Sequence, residues 1–257
     1  MSQITQLHLQ ALPDFPLVSP GDDIAALIVA SLSAAEARLE PGDVLVVAQK
    51  IISKAENRYA YLNEVEPSEE AKALAAKCDK DPRQMEWVLR ESREVLRQVP
   101  GVVIVEHRLG YVHANAGIDR SNILSDEDNP RLLLLPEDPD DSARRLRADL
   151  QALTSVAPYI IINDSAGRAW RNGTMGFALG TAGFAPVENR IGQTDLYGRP
   201  LEVTEVAVAD ELAAAASFLM GQADEAAPVV LLRGAKLSEA DCGSQSLIRD
   251  RQRDLFR

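Results

Sequence analysis

Two aspartates, far apart in the chain, stand where a carboxylate can do more than start a turn. Asp119 lies in "NAGIDRSN", residues 115–122, between small residues and the amides Asn115 and Asn122. Asp164 closes the apolar run "YIIIND", and the carboxyl end of a buried strand is a common place to present a ligand. Ser165 follows it, and Gln222 sits in "MGQAD" at the end of a helical pattern. Hard divalent cations such as Mg2+ or Mn2+ take a few oxygen ligands and leave room for water and substrate phosphate. Two carboxylates, a hydroxyl and an amide oxygen meet that demand. Taken singly, each of these residues reads more simply as a turn or cap residue.

The stretch "GRAWRNGTMGFALGTAGFAP", Gly167 to Pro186, carries Arg168 and Arg171 on a glycine-rich background with Trp170 between them. Glycines let backbone N–H groups approach an anion, and the guanidinium fork matches phosphate or carboxylate. A long surface loop with solvated arginines explains the composition equally well. Lys54, in "QKIISKAEN", lies past an apolar run and has the same two readings, a phosphate contact or a solvated side chain. The phosphate-binding, dinucleotide-binding, zinc-protease and serine-nucleophile signatures are absent. His8, His107 and His113 have no metal-ligand spacing, and the latter two read as strand residues flanking a hairpin.

The elements that must position these residues follow from periodicity. "GDDIAALIVASLSAAEARLEPGD" reads as an amphipathic helix, and "VLVVAQKII" as a strand buried on both faces. "DPRQMEWVLRESREVLRQV" reads as one helix, with Asp81 as N-cap, Pro82 in the first turn and Gln84 completing a capping box. Asp138 and Pro139 open a second in the same way. "GVVIVEHRLGYVHANAG" predicts a hairpin turning at Gly110, "LEVTEVAV" a strand, "ADELAAAASFLMGQ" a helix and "PVVLLRG" a strand. The polar segment after Gly234 predicts a surface helix or a frayed end. Irregular alternation with at least one antiparallel pair favours α+β, with mixed or antiparallel sheets and flanking helices. Residues 1–234 are expected to form one domain, with two interleaved subdomains as the alternative, and 235–257 a polar tail.

The chain has 257 residues and a net charge of −12, from 27 basic and 39 acidic side chains. That balance argues against nucleic acid as a partner. No apolar run reaches the roughly 20 residues of a membrane helix, and "MSQITQLHLQ" carries no secretory pattern. Cys78 and Cys242 form no paired motif. A cytoplasmic protein with free thiols and no membrane partner is expected.

Eight stretches, in order, resemble the F420-0:γ-glutamyl ligase family. They are "FPLVSPGDDI", "GDVLVVAQKIISKAEN", "KDPRQMEWVLRES", "GYVHANAGIDRSNI", "LLLPEDPDDSA", "NDSAGRAWRNG", "VTEVAVADELAAAA" and "MGQADEAAPVVLLRG", spanning residues 15 to 234. No counterpart of the nitroreductase-like domain that follows in some relatives is expected. The resemblance implies an uncommon α+β fold, a homodimer, and a GTP- and metal-dependent ligase that joins L-glutamate to coenzyme F420-0. It implies Asp119, Asp164, Ser165 and Gln222 as the shell for Mn2+ or Mg2+, with a monovalent cation such as K+ as a further candidate. It implies nucleotide contacts from Gln49, Lys50, Lys54 and Asn122. Backbone from Phe15 through Pro16 and Leu17 to Val18, and from Met220, Gly221 and Ala223 to Ala227, would surround the nucleotide.

The chemistry this implies needs no histidine or cysteine. A carboxylate reacts with an amine once a γ-phosphoryl group has converted it to an acyl phosphate, and that transfer is mostly positioning and charge neutralisation. Metals on the aspartates with Lys54 would supply the charge, and Arg168 and Arg171 are candidates for holding substrate. The family pattern D-[ST]-F-G-R-P-W-R-x-G-Q-T-D is altered here at Ala166, Ala169, Thr174, Met175 and Gly176. A ligase for a different phosphorylated acceptor is therefore a second reading, and a GTP-binding protein without ligase activity a third.

Overall fold

The computed structural model describes residues 6–126 and 128–254. The chain begins with β1 (His8–Ala11), α1 (Ile24–Ala34), β2 (Val44–Ala48), α2 (Gln49–Ala55) and β3 (Tyr59–Tyr61). It continues through α3 (Glu69–Cys78), α4 (Pro82–Arg90), β4 (Ser92–Val99), β5 (Val102–His107), β6 (Val112–Ala114) and β7 (Arg131–Leu133). Then come α5 (Pro139–Thr154), β8 (Tyr159–Arg168), β9 (Arg171–Ala182), β10 (Glu188–Asn189), β11 (Glu205–Val206), α6 (Val208–Met220) and β12 (Val229–Arg233). The class is α+β, as the alternation predicts.

The central sheet has the order β1-β12-β2-β8-β9, antiparallel except for the parallel pair β2 and β8. Its inner strands are apolar over Val44–Ala48, Tyr159–Ile162 and Val229–Leu232, where both faces are covered. Leu45, Val47, Ile160, Ile162, Val229 and Leu231 point into a core shared with α1 and α5. The alternate residues Val44, Val46, Tyr159, Ile161, Val230 and Leu232 point into a second core under α6. A third core, under α3 and α4, draws on residues from Ala60 to Leu134, including Val103 and Val105 of the β4-β5-β6 sheet.

Several expectations need correction. The strand expected through Ile52 ends at Ala48, and Gln49 opens a helix. Ile51 and Ile52 there join Ala55 in the first core at helical spacing, which the apolar run had hidden. The helix expected over 81–99 stops at Arg90. Asp81 caps it by accepting from Arg83 N–H at 2.8 Å, but Ser92 to Val99 pair with β5 around Gly101, whose φ is +84°. Those residues are good helix formers, and cross-strand pairing overrides their local preference. The long loop at 167–186 is instead a hairpin arm of β8 and β9, with Trp170 at its tip, φ +64°. The strand at 201–208 is reduced to Glu205–Val206.

The tail is tied down among its described residues, to 254. Ser244 is fully buried, its N–H donates to Asp140 Oδ1 at 2.8 Å and its hydroxyl to Leu179 O at 2.7 Å. Arg251 pairs with Glu94 on β4, so the segment straps the central sheet to the third core's sheet.

Candidate active site

Asp119 is delivered by a left-handed run. Asn115, Ala116 and Gly117 all have positive φ, and a Cβ on Gly117 would lie 2.9 Å from Leu135 Cδ1. The run turns the chain out of β6 so that Asp119 pairs with Leu133 through both its N–H (2.9 Å) and its carbonyl (3.0 Å). Its side chain caps no turn. Oδ2 accepts from Gln49 Nε2 at 2.7 Å, and Oδ1 lies 3.3 Å from Lys50 Nζ.

Asp164 stands in the middle of β8 rather than at its end, paired with Phe177. A bulge at Leu179 precedes it: Ile162 pairs with Gly180 but Asn163 with Ala178. The extra residue is held because Tyr111 Oη donates to Leu179 O and the Ala178 N–H donates to Asp210 Oδ1 at 2.9 Å. Bulges of this kind re-aim the residues that follow them. Oδ1 of Asp164 accepts from Ser165 N–H at 2.7 Å, and Oδ2 lies 3.3 Å from His113 Nε2.

The two aspartates feel each other. Burial and then the charge of Asp164 push the Asp119 carboxyl up to about 6, against the opposing pull of Lys50 and His113. Burial alone would lower the His113 imidazole, but the Asp164 carboxylate outweighs it and the net shift is upward. Lys54 is lowered, first by burial and then by its neighbours Lys50 and Arg131. A pair of carboxylates with excess negative charge, facing two lysines, is the electrostatic form of a site for a cation beneath a phosphate chain.

Lys54 Nζ donates to Asn122 O at 2.8 Å, and Asn122 Nδ2 donates to Ala223 O at 2.8 Å. The loop after Asp119 is thereby tied to α2 on one side and to the loop after α6 on the other. In that second loop Gly221 has φ +73°, and the N–H of Ala223 donates to Glu225 Oε2 at 2.7 Å. Backbone N–H groups of Ala223, Glu225 and Gln222 hold the Glu225 carboxyl below its ordinary range. Gln49 uses both ends of its amide internally, since Oε1 accepts from Ser53 Oγ at 2.9 Å. Phe15 and Val18 are core residues, whereas Leu17 is 93 % exposed beside Pro16. Gly21 N–H donates to Ala55 O at 2.9 Å and sets this segment beside α2.

The sequence pattern described as F420-0:Gamma-glutamyl ligase matches residues 14–234. The chain belongs to the F420-0:γ-glutamyl ligase family. It is an amide-forming ligase. It is 45 % identical over 253 residues to the coenzyme F420:L-glutamate ligase of Methanothermobacter thermautotrophicus, covering 98 % of this chain and 99 % of that protein. The enzyme of that name from Methanopyrus kandleri is 44 % identical over 261 residues, covering both chains in full. That from Archaeoglobus fulgidus is 44 % identical over 243 residues, 94 % of this chain and 93 % of the relative.

In this ligase the donor set suits a hard cation rather than a soft one. Among the described residues no three His, Cys, Asp or Glu side chains gather in a metal-binding group. The oxygens present are two carboxylates, a hydroxyl and an amide. Strand alternation sends Asp164 and Ser165 to opposite faces of β8. The Asp164 charge acts on Asp119. Ser165 pairs with Gly176, which presses on Ser217 of α6, and Ser217 Oγ accepts from Gln222 Nε2 at 3.2 Å. Ser165, through its strand partner Gly176, and Gln222 are thus both brought towards Ser217 of α6. Met220 closes the second side, its sulfur accepting from Asn163 Nδ2 at 3.6 Å.

Arg168 and Arg171 are not brought to the carboxylates. They sit at the exposed tip of the β8–β9 arm, where Arg168 Nη1 donates to Gly173 O at 3.1 Å. Arg168 lies four residue steps along β8 from Asp164, about 13 Å at the rise of an extended chain. His113 is the strand residue its sequence suggests, and alternation in "VHA" turns it inward: Val112 and Ala114 are exposed and His113 is 9 % exposed.

Proposed function

We propose that this ligase uses GTP and a divalent metal to join the amino group of L-glutamate to the carboxylate of a coenzyme F420-0-type acceptor, then extends through the γ-carboxyl. The observation that carries this reading is the opposition of the Asp119–Asp164 pair to Lys50 and Lys54. Mn2+ or Mg2+ held by Asp119 and Asp164, with Ser165 and Gln222 offering a second pair of oxygens, would neutralise phosphate charge during transfer. K+ is a further candidate.

Lys54 and Lys50 take the phosphate chain on their side of the carboxylates. The N–H groups now gathered on Glu225 are the donors a phosphate oxygen needs, which supports placing the nucleotide along 220–227. The acceptor carboxylate takes the γ-phosphoryl group, giving an acyl phosphate and GDP. The glutamate amine then attacks the acyl carbon, phosphate departs with the C–O bonding pair, and the nitrogen loses a proton. Arg168 and Arg171, on an arm that projects beyond the carboxylates, suit the acceptor's phosphodiester or a substrate carboxylate.

Leu196, Tyr197, Val203 and Phe218 are each more than 80 % exposed, which supports a homodimer in which such surface is covered. Cys78 and Cys242 are both free thiols, in keeping with a cytoplasmic setting. No helix among the described residues is long and apolar enough to cross a membrane.

One observation favours the second reading, a different phosphorylated acceptor. A Cβ on Gly176 would lie 2.5 Å from Ser217 Cβ and 2.6 Å from Ala213 O, so no carboxylate fits where the family pattern has aspartate. Mass spectrometry of the protein incubated with coenzyme F420-0, GTP, L-glutamate and Mn2+ separates the readings. A product heavier by one or more glutamyl groups, lost in Asp119→Ala, is expected. GDP release without that product would favour another acceptor, and GTP binding without turnover across acceptors a non-catalytic role.

A further inference from the structure

We propose that His113 is a positioning residue, fixing the Asp164 carboxylate against Asp119 for cation binding. The inference rests on the reading of Asp164 as a metal ligand and extends it to a side chain outside that set.

His113 is carried by β6, on the sheet that belongs to the third core, whereas Asp164 belongs to the central sheet. The ring is 9 % exposed, its Nε2 lies 3.3 Å from Asp164 Oδ2, and its Nδ1 lies 3.2 Å from the Ala114 carbonyl oxygen. Phe177, the strand partner of Asp164, packs on the ring with centroids 5.5 Å apart. Asp164 is therefore addressed at both oxygens, Oδ1 by the N–H of Ser165 and Oδ2 by His113, and rotation of the carboxylate is opposed from two sides.

The contact also sets one sheet against the other. Asp119 follows β6 by five residues, so a side chain on β6 that meets Asp164 fixes the separation of the two carboxylates. Nε2 is buried and has no aligned hydrogen-bond acceptor in this conformation. The hold on Asp164 Oδ2 is thus one of charge and packing, through the 3.3 Å ion pair and the Phe177 ring, rather than an aligned hydrogen bond.

Mn2+ binding by paramagnetic resonance titration tests this, with His113→Phe, His113→Gln and Asp164→Ala beside the unaltered protein. His113→Phe is expected to lower Mn2+ affinity by about 10–100-fold, the usual effect of losing a group that orients a ligand. His113→Gln, which keeps a donor within reach, is expected to restore most of it. At saturating Mn2+, the kcat of His113→Phe should recover while its apparent KM for Mn2+ stays raised. If the Phe variant does not fold, His113→Asn, polar but too short to reach, carries the same expectation. Unchanged Mn2+ affinity in a folded Phe or Asn variant, with affinity lost in Asp164→Ala, overturns the role of His113 and leaves the metal reading intact. Unchanged affinity in Asp164→Ala overturns both.

Discussion

Gln49 Nε2 donates to Asp119 Oδ2 at 2.7 Å across 70 residues of sequence. The first residue of α2 is thereby joined to the residue that leaves the β5–β6 hairpin, and the proposed cation-binding end of the site is held between two cores. The consequences are measurable.

Asp119 should destabilise the free protein near neutral pH. Its folded value of about 6 lies above the ordinary 3.8. Below 3.8 the group is protonated in both states and adds nothing adverse. As pH rises toward 6 the unfolded chain ionises first, so stability falls, by roughly 3 kcal/mol in all. Asp119→Asn should therefore melt higher than the unaltered protein at pH 7 without metal and equal to it near pH 3.5. Mn2+ should raise the melting temperature of the unaltered protein alone.

Lys54 Nζ donates to Asn122 O at 2.8 Å and faces the proposed phosphate chain. Lys54→Met should weaken GTP binding by about 10–100-fold, as loss of a charged hydrogen bond does. Isothermal titration with GTP reads this directly.

Arg168 and Arg171 are exposed at the arm's tip, so replacing both with Ala should leave the melting temperature within about 1 °C. The KM for the acceptor should rise at least about tenfold if they hold its anionic group. Steady-state kinetics with GTP and glutamate saturating separates these outcomes.

Gly176→Ala would drive a Cβ to 2.5 Å from Ser217 Cβ and 2.6 Å from Asn163 Oδ1. Overpacking of this kind costs about 1–3 kcal/mol, measured as a lower urea midpoint. Gly176→Asp, which restores the family's residue type, should cost more and not improve turnover.

Asp140 Oδ1 accepts from both Thr181 N–H and Ser244 N–H, each at 2.8 Å. Asp140→Ala would leave both donors unpaired and should lose about 2–4 kcal/mol. The tail should also become sensitive to carboxypeptidase or trypsin ahead of the rest of the chain.

Much of this architecture was legible because one-dimensional signals carried it. Asp138 and Pro139 start α5 as their types require, the inner strands read as buried because both faces are covered, and Gly110 turns the hairpin. Signals failed where a local preference met a non-local partner. The residues of β4 favour helix until β5 claims them, and the glycine-rich 167–186 segment lacks strand character until β8 pairs with it. Ser244 looked like tail polarity because Asp140, its partner, is 104 residues away.

By itself the sequence determined the family, the acidic balance, most elements and the identities of the candidate ligands, since these depend on residue type and short-range spacing. Only the tertiary structure decided that Asp119 and Asp164 come within electrostatic reach of each other, that Ser165 turns to the other side of the same strand, and that His113 stands against Asp164. Those relations are set by sheet register, a bulge at Leu179 and the packing of one core against another. Each arises between segments whose separation along the chain carries no record of their distance in space.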